Sequence, residues 1–354
     1  MESKAKFAII GAIIAAAVII GVVSFIVASS NTSSEQTTTT DSSQQMAAAK
    51  LTIYSGRAEN LVGPIIQKFE QETGIKTEVR YGDTAALALA IIEEGRNSPA
   101  DVYFAQDAGA LGALSKEGRL LKISTPILQK VDPAYQSLNG EWVGITGRAR
   151  VVDYNINLVD KSELPDSIWG FLDPKWKGKI GWAPSNGSFQ AFITALRIIE
   201  GEDRTREWLL GIMANEPVVY SGNAPIVEAI ARGEVHVGFV NNYYLQRFTS
   251  KDPSYPVAHH YTKGDAGSMI NVAGAAIVDT TKNKALAERF IEYMLNEDAQ
   301  TYFSTNTYEY PLVKGVKVVG PQVPIEQINK PNIDLSNLDD LQGTLNLLRD
   351  IRAL

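Results

Sequence analysis

The chain contains no cysteine among its 354 residues. Disulfides, thiolate metal sites, cysteine nucleophiles and lipid attachment through cysteine are therefore excluded. Only three histidines are present, which excludes a histidine-rich metal site. Lysine and arginine form no block, and the formal net charge is −7. Because affinity for nucleic acid comes mostly from neutralised phosphates, we expect no nucleic-acid partner.

The sequence also lacks the short motifs of common hydrolases and nucleotide-binding enzymes. It has no G-x-S-x-G elbow, no H-E-x-x-H and no Walker loop. His236 falls in a strand pattern, and His259 and His260 fall in YPVAHHY, which we interpret as a loop. We therefore predict a binding protein and no enzyme, with an extracellular enzyme as the alternative.

The longest hydrophobic run lies at the N-terminus. FAIIGAIIAAAVIIGVVSFIVA, Phe7 to Ala28, follows Lys4 and Lys6. As a helix it would span about 33 Å, close to the roughly 30 Å of bilayer hydrocarbon. We interpret residues 1–28 as an uncleaved membrane anchor with its N-terminus inside; the alternative is a long signal peptide that is cut near Ala28. Both interpretations place the remaining chain outside the cytoplasm, either anchored at the cell membrane or secreted or periplasmic after cleavage.

A polar segment follows the hydrophobic run. Residues 29–49 include SSNTSSEQTTTTDSSQQ and carry a glycosylation sequon at Asn31. The segment is too polar to build a core, so we predict a flexible Ser/Thr-rich linker.

Strand and helix patterns alternate from Leu51 onward. LTIYS, IKTEVRYG and ADVYFA are strand-like, and ENLVGPIIQKFEQET and AGALGALSKEG have helical spacing. RVVDYN opens a second such series, and KNKALAERFIEYMLNEDAQTYFS reads as one late helix. The pattern predicts an α/β fold with a largely parallel sheet covered by helices.

Polar residues collect where the predicted strands end. Ligands of open α/β sheets bind outside the carboxyl ends of strands, often at helix N-termini. In APSNGSF, Asn186 and Ser188 flank Gly187 at a helix start; YSGNAP contains Asn223, and VNNYY contains Asn241. These groups are suited to hydrogen-bond an anion, although each one alone is also typical of capping or turn formation.

Two tyrosines, Tyr243 and Tyr244, follow the strand-like run VHVGFV. One interpretation is packing, since aromatic residues suit strands and interfaces. The other is a metal site, because phenolate is a hard anionic oxygen ligand that proteins use for ferric iron. A bound cation would displace the phenol proton. Residue chemistry alone leaves both interpretations open.

The motifs taken together, in their order along the chain, resemble a known family. LTIYSGRAENLVGPIIQKFEQETGIK, SPADVYF, GITGRARVVDYN, KWKGKIGWAPSNGSF and IVEAIARGEVHVGFVNNYY closely resemble the ferric-iron-binding proteins of ABC importers, often called bacterial transferrins. The resemblance covers Leu51 to about Leu312. It implies a periplasmic-binding-protein-like fold of two lobes joined by hinge strands, with iron bound in the cleft. It also implies a monomer that delivers iron to a membrane permease.

The resemblance also implies where the lobes divide. The chain is expected to cross between lobes near Arg148 and again near Asn271. Lobe 1 would then comprise residues 50–147 and 271–321, and lobe 2 residues 148–270 and 322–354.

Carried over position by position, the resemblance assigns a binding site. Tyr243 and Tyr244 match the paired iron ligands, and Arg148 matches a hinge arginine that lines the cleft. A synergistic anion such as phosphate, carbonate or citrate is expected to be held by Asn186, Gly187, Ser188, Asn223 and Asn241.

Two departures from the family pattern leave the ligand set incomplete. Ala58 stands where many members have a histidine ligand, and Gln106 stands where they have a glutamate. Tyr81 and Asp107 are candidate replacement ligands, and Arg57 is a candidate anion contact; the alternative is that these are solvated residues at the rim. The missing ligands also favour a second function, in which the same fold binds an oxyanion or organic anion without iron.

Overall fold

The computed structural model describes residues 50–320 and 322–354. The predicted anchor or signal segment 1–28 and linker 29–49 lie outside these residues. Within the described ranges, no helix has both the length and the apolar character needed to cross a membrane.

The alternation of strands and helices predicted from the sequence is confirmed. The first series runs β1 Lys50–Ser55, α1 Glu59–Thr73, β2 Lys76–Tyr81, α2 Thr84–Glu94, β3 Val102–Ala105, α3 Ala108–Lys116, β4 Leu120–Leu121 and α4 Thr125–Leu128. The second runs β5 Trp142–Asn155, β6 Ile180–Trp182, α5 Gly187–Glu200, α6 Glu202–Ala214, β7 Val218–Val219, α7 Asn223–Ala231, β8 Val237–Asn241, α8 Tyr243–Thr249 and β9 Val257–His260. The chain continues with β10 Ile270–Val278, α9 Lys284–Met294, α10 Glu297–Tyr302, β11 Tyr310–Pro311 and α11 Leu341–Asp350.

The described strands form a mixed sheet in the order β2-β1-β3-β10-β5-β8-β6-β7, with β4, β9 and β11 pairing at its side. In its first half, β1 is parallel to β2 and β3. In its second half, β6 is parallel to β7 and β8. Strands β10 and β5 run antiparallel to their neighbours between the halves. The parallel character predicted from the sequence therefore holds within each half but not at the junction.

Strand β5 belongs to both halves, and every residue in it is buried. Its first part pairs with β10 and β11, and its last part pairs with β8 and β9. Arg148 of β5 lies opposite Asn271 of β10. The two positions at which the sequence predicts a crossing are therefore neighbours in the sheet.

Two local predictions are wrong. Val257–His260 is a strand and not a loop, because it pairs with Val152–Asn155 of β5. The late helix is broken in two between Met294 and Glu297, where the Asn296 side chain accepts a hydrogen bond from the Ala299 N–H at 2.7 Å and caps a new helix.

The C-terminal segment connects the two halves. Its 3₁₀ turn Leu335–Asp339 packs on α3, and α11 packs on α5. The Thr344 hydroxyl lies 2.7 Å from the Thr194 hydroxyl, and Asp340 Oδ2 accepts a hydrogen bond from Arg197 Nη2 at 2.8 Å. The segment that we predicted to belong to the second lobe thus contacts helices of both halves.

Two glycines of α3 allow this contact. A Cβ at Gly112 would lie 2.0 Å from the Ser336 carbonyl oxygen, and a Cβ at Gly109 would lie 2.5 Å from that of Leu338. The obstacle in both cases is backbone, which cannot rotate out of the way. The close approach of the 3₁₀ turn therefore requires glycine at these positions.

Gly112→Ala is expected to lower the free energy of unfolding by about 1–3 kcal/mol, the usual cost of overpacking. Gly63→Ala in α1 is the control, because its Cβ would meet only ordinary contacts at 3.4 Å or more; it should leave stability unchanged or raise it by about 0.4–1 kcal/mol. Urea denaturation of both variants measures the difference. Equal stability would show that the C-terminal segment is not held against α3.

Candidate functional site

A cavity of about 790 Å³ lies where strands of both halves end. Its walls include the residues that follow β1, β2, β3, β6 and β8, the middle of β5 and the C-terminal segment. Of the residues singled out in the sequence, it brings together Arg148, Asp107, Asn186, Gly187, Ser188, Asn241, Tyr243 and Tyr244. Convergence at strand ends is the expected position for a ligand site in an α/β sheet.

Tyr243 and Tyr244 lie at the start of α8, directly after β8 ends at Asn241. The turn between β8 and α8 is fixed by Asn242, whose side-chain oxygen accepts a hydrogen bond from the Ala149 N–H at 2.8 Å. Because the chain has left the strand, both rings point to one side and stack with centroids 4.4 Å apart. The Arg247 guanidinium lies 5.4 and 4.8 Å from the two ring centroids. Both rings are half-buried and line the cavity.

The Tyr244 phenol is neutral at pH 7. Burial raises its pKa above the ordinary value, and the neighbouring Tyr243 raises it further, while Arg247 and Arg148 act in the opposite direction. A cation that binds this oxygen must therefore displace a proton, as strongly charged cations do.

The N-terminus of α5 forms a polar wall of the cavity. Asn186 is its N-cap: its side-chain oxygen accepts hydrogen bonds from the Ser188 N–H at 3.1 Å and the Ser188 hydroxyl at 2.6 Å. Gly187 begins the helix, and a Cβ there would meet no atom within 4 Å. Free N–H groups and the helix dipole make such a terminus favourable for an anion.

Asn223 does not line the cavity, unlike Asn186, Gly187, Ser188 and Asn241. It is buried behind them, and its amide donates to Asn186 Oδ1 and to Ser188 Oγ, both at 3.1 Å. Its oxygen accepts a hydrogen bond from the Asn241 N–H at 2.8 Å. Asn223 therefore positions three residues of the wall.

Arg148 and Arg150 are alternate residues of β5, so both project to the same face of the sheet, and both line the cavity. They are 5% and 4% exposed. Arg150 Nη1 donates to Asn241 Oδ1 at 3.0 Å and to Ser188 Oγ at 3.3 Å. Among the described residues, Arg150 Nη2 and Arg148 Nη1 have no hydrogen-bond partner. Buried donors without a partner mark a position where a ligand can supply the acceptor.

Arg148 is among the residues that the sequence predicts for the site, and Arg150 is not. The signal was present in the motif GRAR, because two arginines two residues apart on a strand share a face. Only the position of the cavity shows that this face is the one turned to the ligand site.

Arg150 is predicted to supply the positive charge that attracts an anion. Burial lowers its pKa from the ordinary value, and Tyr243, Tyr244 and Asp153 limit the decrease. A guanidinium stays protonated in proteins, so Arg150 is charged at neutral pH. Because a charge-assisted hydrogen bond contributes about 1.5–3 kcal/mol, Arg150→Gln should lower the phosphate affinity of the iron-free protein by at least about tenfold.

Isothermal titration of both proteins with inorganic phosphate at neutral pH measures this difference. Equal phosphate affinity of Arg150→Gln and the wild type would contradict the role of Arg150.

The structure separates the remaining predicted residues from this group. Arg57 is 1% exposed and does not line the cavity. Its guanidinium pairs with Glu309, with Nη2–Oε2 at 2.5 Å, and donates to Gln106 Oε1 at 2.7 Å. Its charge is therefore balanced inside the protein, which does not fit the predicted anion contact. Tyr81 also lies outside the cavity wall.

The first half of the sheet contributes few charged ligands to the cavity. Asp107 lines it, but its carboxylate also caps α3 by accepting from the Ala110 N–H at 3.3 Å. Ala58 and Gln106, at the positions of the family's histidine and glutamate, line it as well. In the described part of the chain, no three His, Cys, Asp or Glu residues are grouped so that they could hold a metal.

The chain is similar to known solute-binding and iron-uptake proteins. Residues 64–324 match the family described as bacterial extracellular solute-binding protein. Iron uptake protein A1 of Synechocystis sp. is 32% identical over 306 residues, which cover 84% of each chain.

Two solved structures are similar along nearly their whole length. Iron-bound HitA from Pseudomonas aeruginosa superposes with a TM-score of 0.77 and 32% identity, and the alignment covers 86% of this chain and 99% of that one. A Trichodesmium protein (IdiA, FutA) in complex with iron and citrate has a TM-score of 0.76 and 30% identity over the same shares of the two chains. These similarities support a two-lobed α/β periplasmic-binding-protein fold.

Proposed function

Because the chain belongs to the family of bacterial extracellular solute-binding proteins, we propose that it binds ferric iron in this cavity and delivers it to an ABC permease in the membrane. The observation that carries the proposal is the stacked pair Tyr243 and Tyr244 beside two buried arginines with unpartnered N–H groups. Phenolates supply hard anionic oxygens, and the arginines supply the counter-charge for an anion. The names of the relatives, which describe iron-binding and iron-uptake proteins, support the same cargo.

The two phenolates provide only part of the coordination of iron. A ferric ion bound to two phenolates retains positive charge and open positions. We propose that an anion such as phosphate, carbonate or citrate occupies them. Arg148, Arg150, Asn241, Ser188 and the N-terminus of α5 would hold this anion, and Asn223 would keep the last three in position. The citrate in one similar structure supports an organic acid in this role.

The proposed cargo can be tested directly. Protein purified without residues 1–49 should be loaded with iron and analysed for metal content and visible absorbance. We expect one iron per chain and an orange to red colour from charge transfer between phenolate and Fe(III). Zinc, which favours nitrogen and sulfur donors, should be retained poorly. A colourless protein with no bound iron would reject the proposal.

A second candidate function is binding of an oxyanion or organic anion without iron. Ala58 and Gln106 at the positions of the expected ligands favour it, as does the arginine pair. Stoichiometric anion binding by a protein that takes up no iron would establish this function instead.

The proposed lobes, residues 50–147 with 271–321 and residues 148–270 with 322–354, should close on loading. The reason is that cavity walls come from both halves of the sheet, so a ligand contacts both. Small-angle scattering should show a smaller radius of gyration with iron and anion than without. Identical radii would indicate that the site is already closed before it binds.

The predicted membrane anchor, residues 1–28, stays a proposal. It would keep the binding domain close to the permease, and Ser/Thr-rich residues 29–49 would provide reach. Fractionation of cells that produce the full chain tests it: recovery in the soluble extracytoplasmic fraction would favour a cleaved signal peptide.

A further inference from the structure

The cavity extends beyond the tyrosines and arginines along an apolar face of α2. Ala85, Ala88, Leu89 and Ile92 all line it. They lie three, four and seven residues apart, which places them in one stripe along the helix. Helix faces that meet only water are normally polar. This face is therefore suited to contact something other than water.

Two further parts of the cavity wall carry apolar residues, beside Asp107 and Asp339. Ala110 and Ala113 of α3 and Leu338 and Leu341 of the C-terminal segment line the same cavity. Leu89 is 53% exposed and Leu341 is 37% exposed, so both have surface left to bury. We call this extension the apolar groove, formed by the α2 stripe, Ala110, Ala113, Leu338 and Leu341.

Before the expected closure, the cavity is larger than an ion with a small anion requires. An iron ion with one phosphate would fill on the order of 150 Å³, counting about 30 Å³ for each water-sized group. The cavity has about 790 Å³. Pockets of about 300–1,000 Å³ are typical of sites for organic ligands.

Closure of the cleft would leave the α2 and α3 walls of the groove in place. Helices α2 and α3 pack on each other, so they move together when the two halves of the sheet approach. The C-terminal wall packs on α3 and also on α5 of the second half. The apolar faces of α2 and α3 therefore keep their relative position in a closed state.

We propose that the protein takes up iron together with an organic carboxylate chelator whose apolar body lies in the apolar groove. This inference rests on the proposed function, since the tyrosines provide the iron ligands. Arg148 Nη1 and Arg150 Nη2, which have no hydrogen-bond partner among the described residues, can donate to the carboxylates, and the groove residues line the same cavity. A chelator with carboxylates at one end and a hydrocarbon body at the other satisfies both parts of the cavity.

The test uses two ferric complexes with the same donor groups. Malonate and butylmalonate both offer two carboxylates, and only the second carries an apolar chain. Wild-type protein should bind ferric butylmalonate at least about tenfold more tightly than ferric malonate, because part of the chain is buried. Equilibrium titration followed by visible absorbance measures both affinities.

Variants locate the preference in the groove. Leu89→Gln with Leu341→Gln should reduce the difference between the two complexes to about twofold or less, while affinity for ferric malonate stays unchanged. The control is Leu158→Gln with Leu210→Gln, because these leucines are 48% and 47% exposed and do not line the cavity. The control should keep the wild-type preference.

The outcomes separate this inference from the proposed function. Equal affinity of the wild type for both complexes would reject the proposal that the groove binds the chelator, and it would leave iron binding intact. A Leu89 and Leu341 variant that keeps the preference would also overturn it. Failure to bind iron with malonate, phosphate and citrate alike would reject the proposed function and this inference with it.

Discussion

Tyr243→Phe is expected to remove most of the visible colour of the iron-loaded protein and to lower its iron affinity by more than about 100-fold. Loss of a group that only supports a metal ligand costs about 10–100-fold, so loss of a ligand should exceed that range. The cavity has few substitutes, since Ala58 and Gln106 offer no charge. Tyr244→Phe should act in the same direction, and the double variant should bind no iron.

The substitution changes little besides the hydroxyl. Phenylalanine keeps the ring, so the 4.4 Å stack and its contact with Arg247 should persist. Thermal denaturation of the iron-free variant should therefore resemble that of the wild type. The loss of iron binding can then be assigned to the missing oxygen.

Tyr255→Phe provides a matched control. Tyr255 is also half-buried and stacks on Phe248 with centroids 5.0 Å apart, but it does not line the cavity. Its variant should keep colour and affinity. If Tyr243→Phe also keeps its iron affinity, the tyrosine pair is a packing feature and direct ligation is refuted.

Iron affinity is expected to be about 100-fold higher with a synergistic anion than without, and Arg150→Gln should lose most of this enhancement. Each charge-assisted hydrogen bond contributes about 1.5–3 kcal/mol, and two of them give an effect of this size. The enhancement should exceed that of relatives that retain the histidine and glutamate ligands. Without added anion, Arg150→Gln and the wild type should bind iron with similar affinity.

The measurement is a titration of iron into anion-stripped protein in a non-coordinating buffer. A weak competing chelator suppresses hydrolysis, and phosphate is then added back. Arg232→Gln is the control, because Arg232 is exposed and lies outside the cavity wall. Ser188→Ala with Asn223→Ala should weaken the enhancement too, because it removes the bonds that hold Asn186 and Asn241.

An anion-independent wild type would contradict this prediction. The protein would then have to complete the coordination of iron with its own groups. Asp107, which already lines the cavity, would become the first residue to substitute, and Tyr81 the second. An enhancement that survives in Arg150→Gln would instead assign the anion to Arg148 and the α5 N-terminus alone.

The local pattern of residues in the sequence determined many of the strands, helices and turns of this protein. The period of the hydrophobic residues predicted β1, β2 and β3 with helices α1 and α3, because one face of each must be buried. The end of a strand before VNNYY placed Tyr243 and Tyr244 together, and the spacing in APSNGSF placed Asn186 as a helix cap. Each of these features depends on neighbours within a few residues, so the sequence alone was sufficient.

Tertiary structure decided the features whose partners lie far away along the chain. The sequence leaves Arg57 free to bind an anion, whereas in the structure its charge is balanced by Glu309, which lies 252 residues away along the chain. The sequence predicts Asn223 as an anion contact, and only the structure shows that it also supports Asn186 and Ser188 through hydrogen bonds. Val257–His260 forms a strand because it pairs with Val152–Asn155 of β5. The spacing of residues along the chain carries no information about such pairings, because long-range partners are set by the surfaces that pack together. For the same reason, the role of Arg150 and the apolar groove can be recognised only in the assembled sheet.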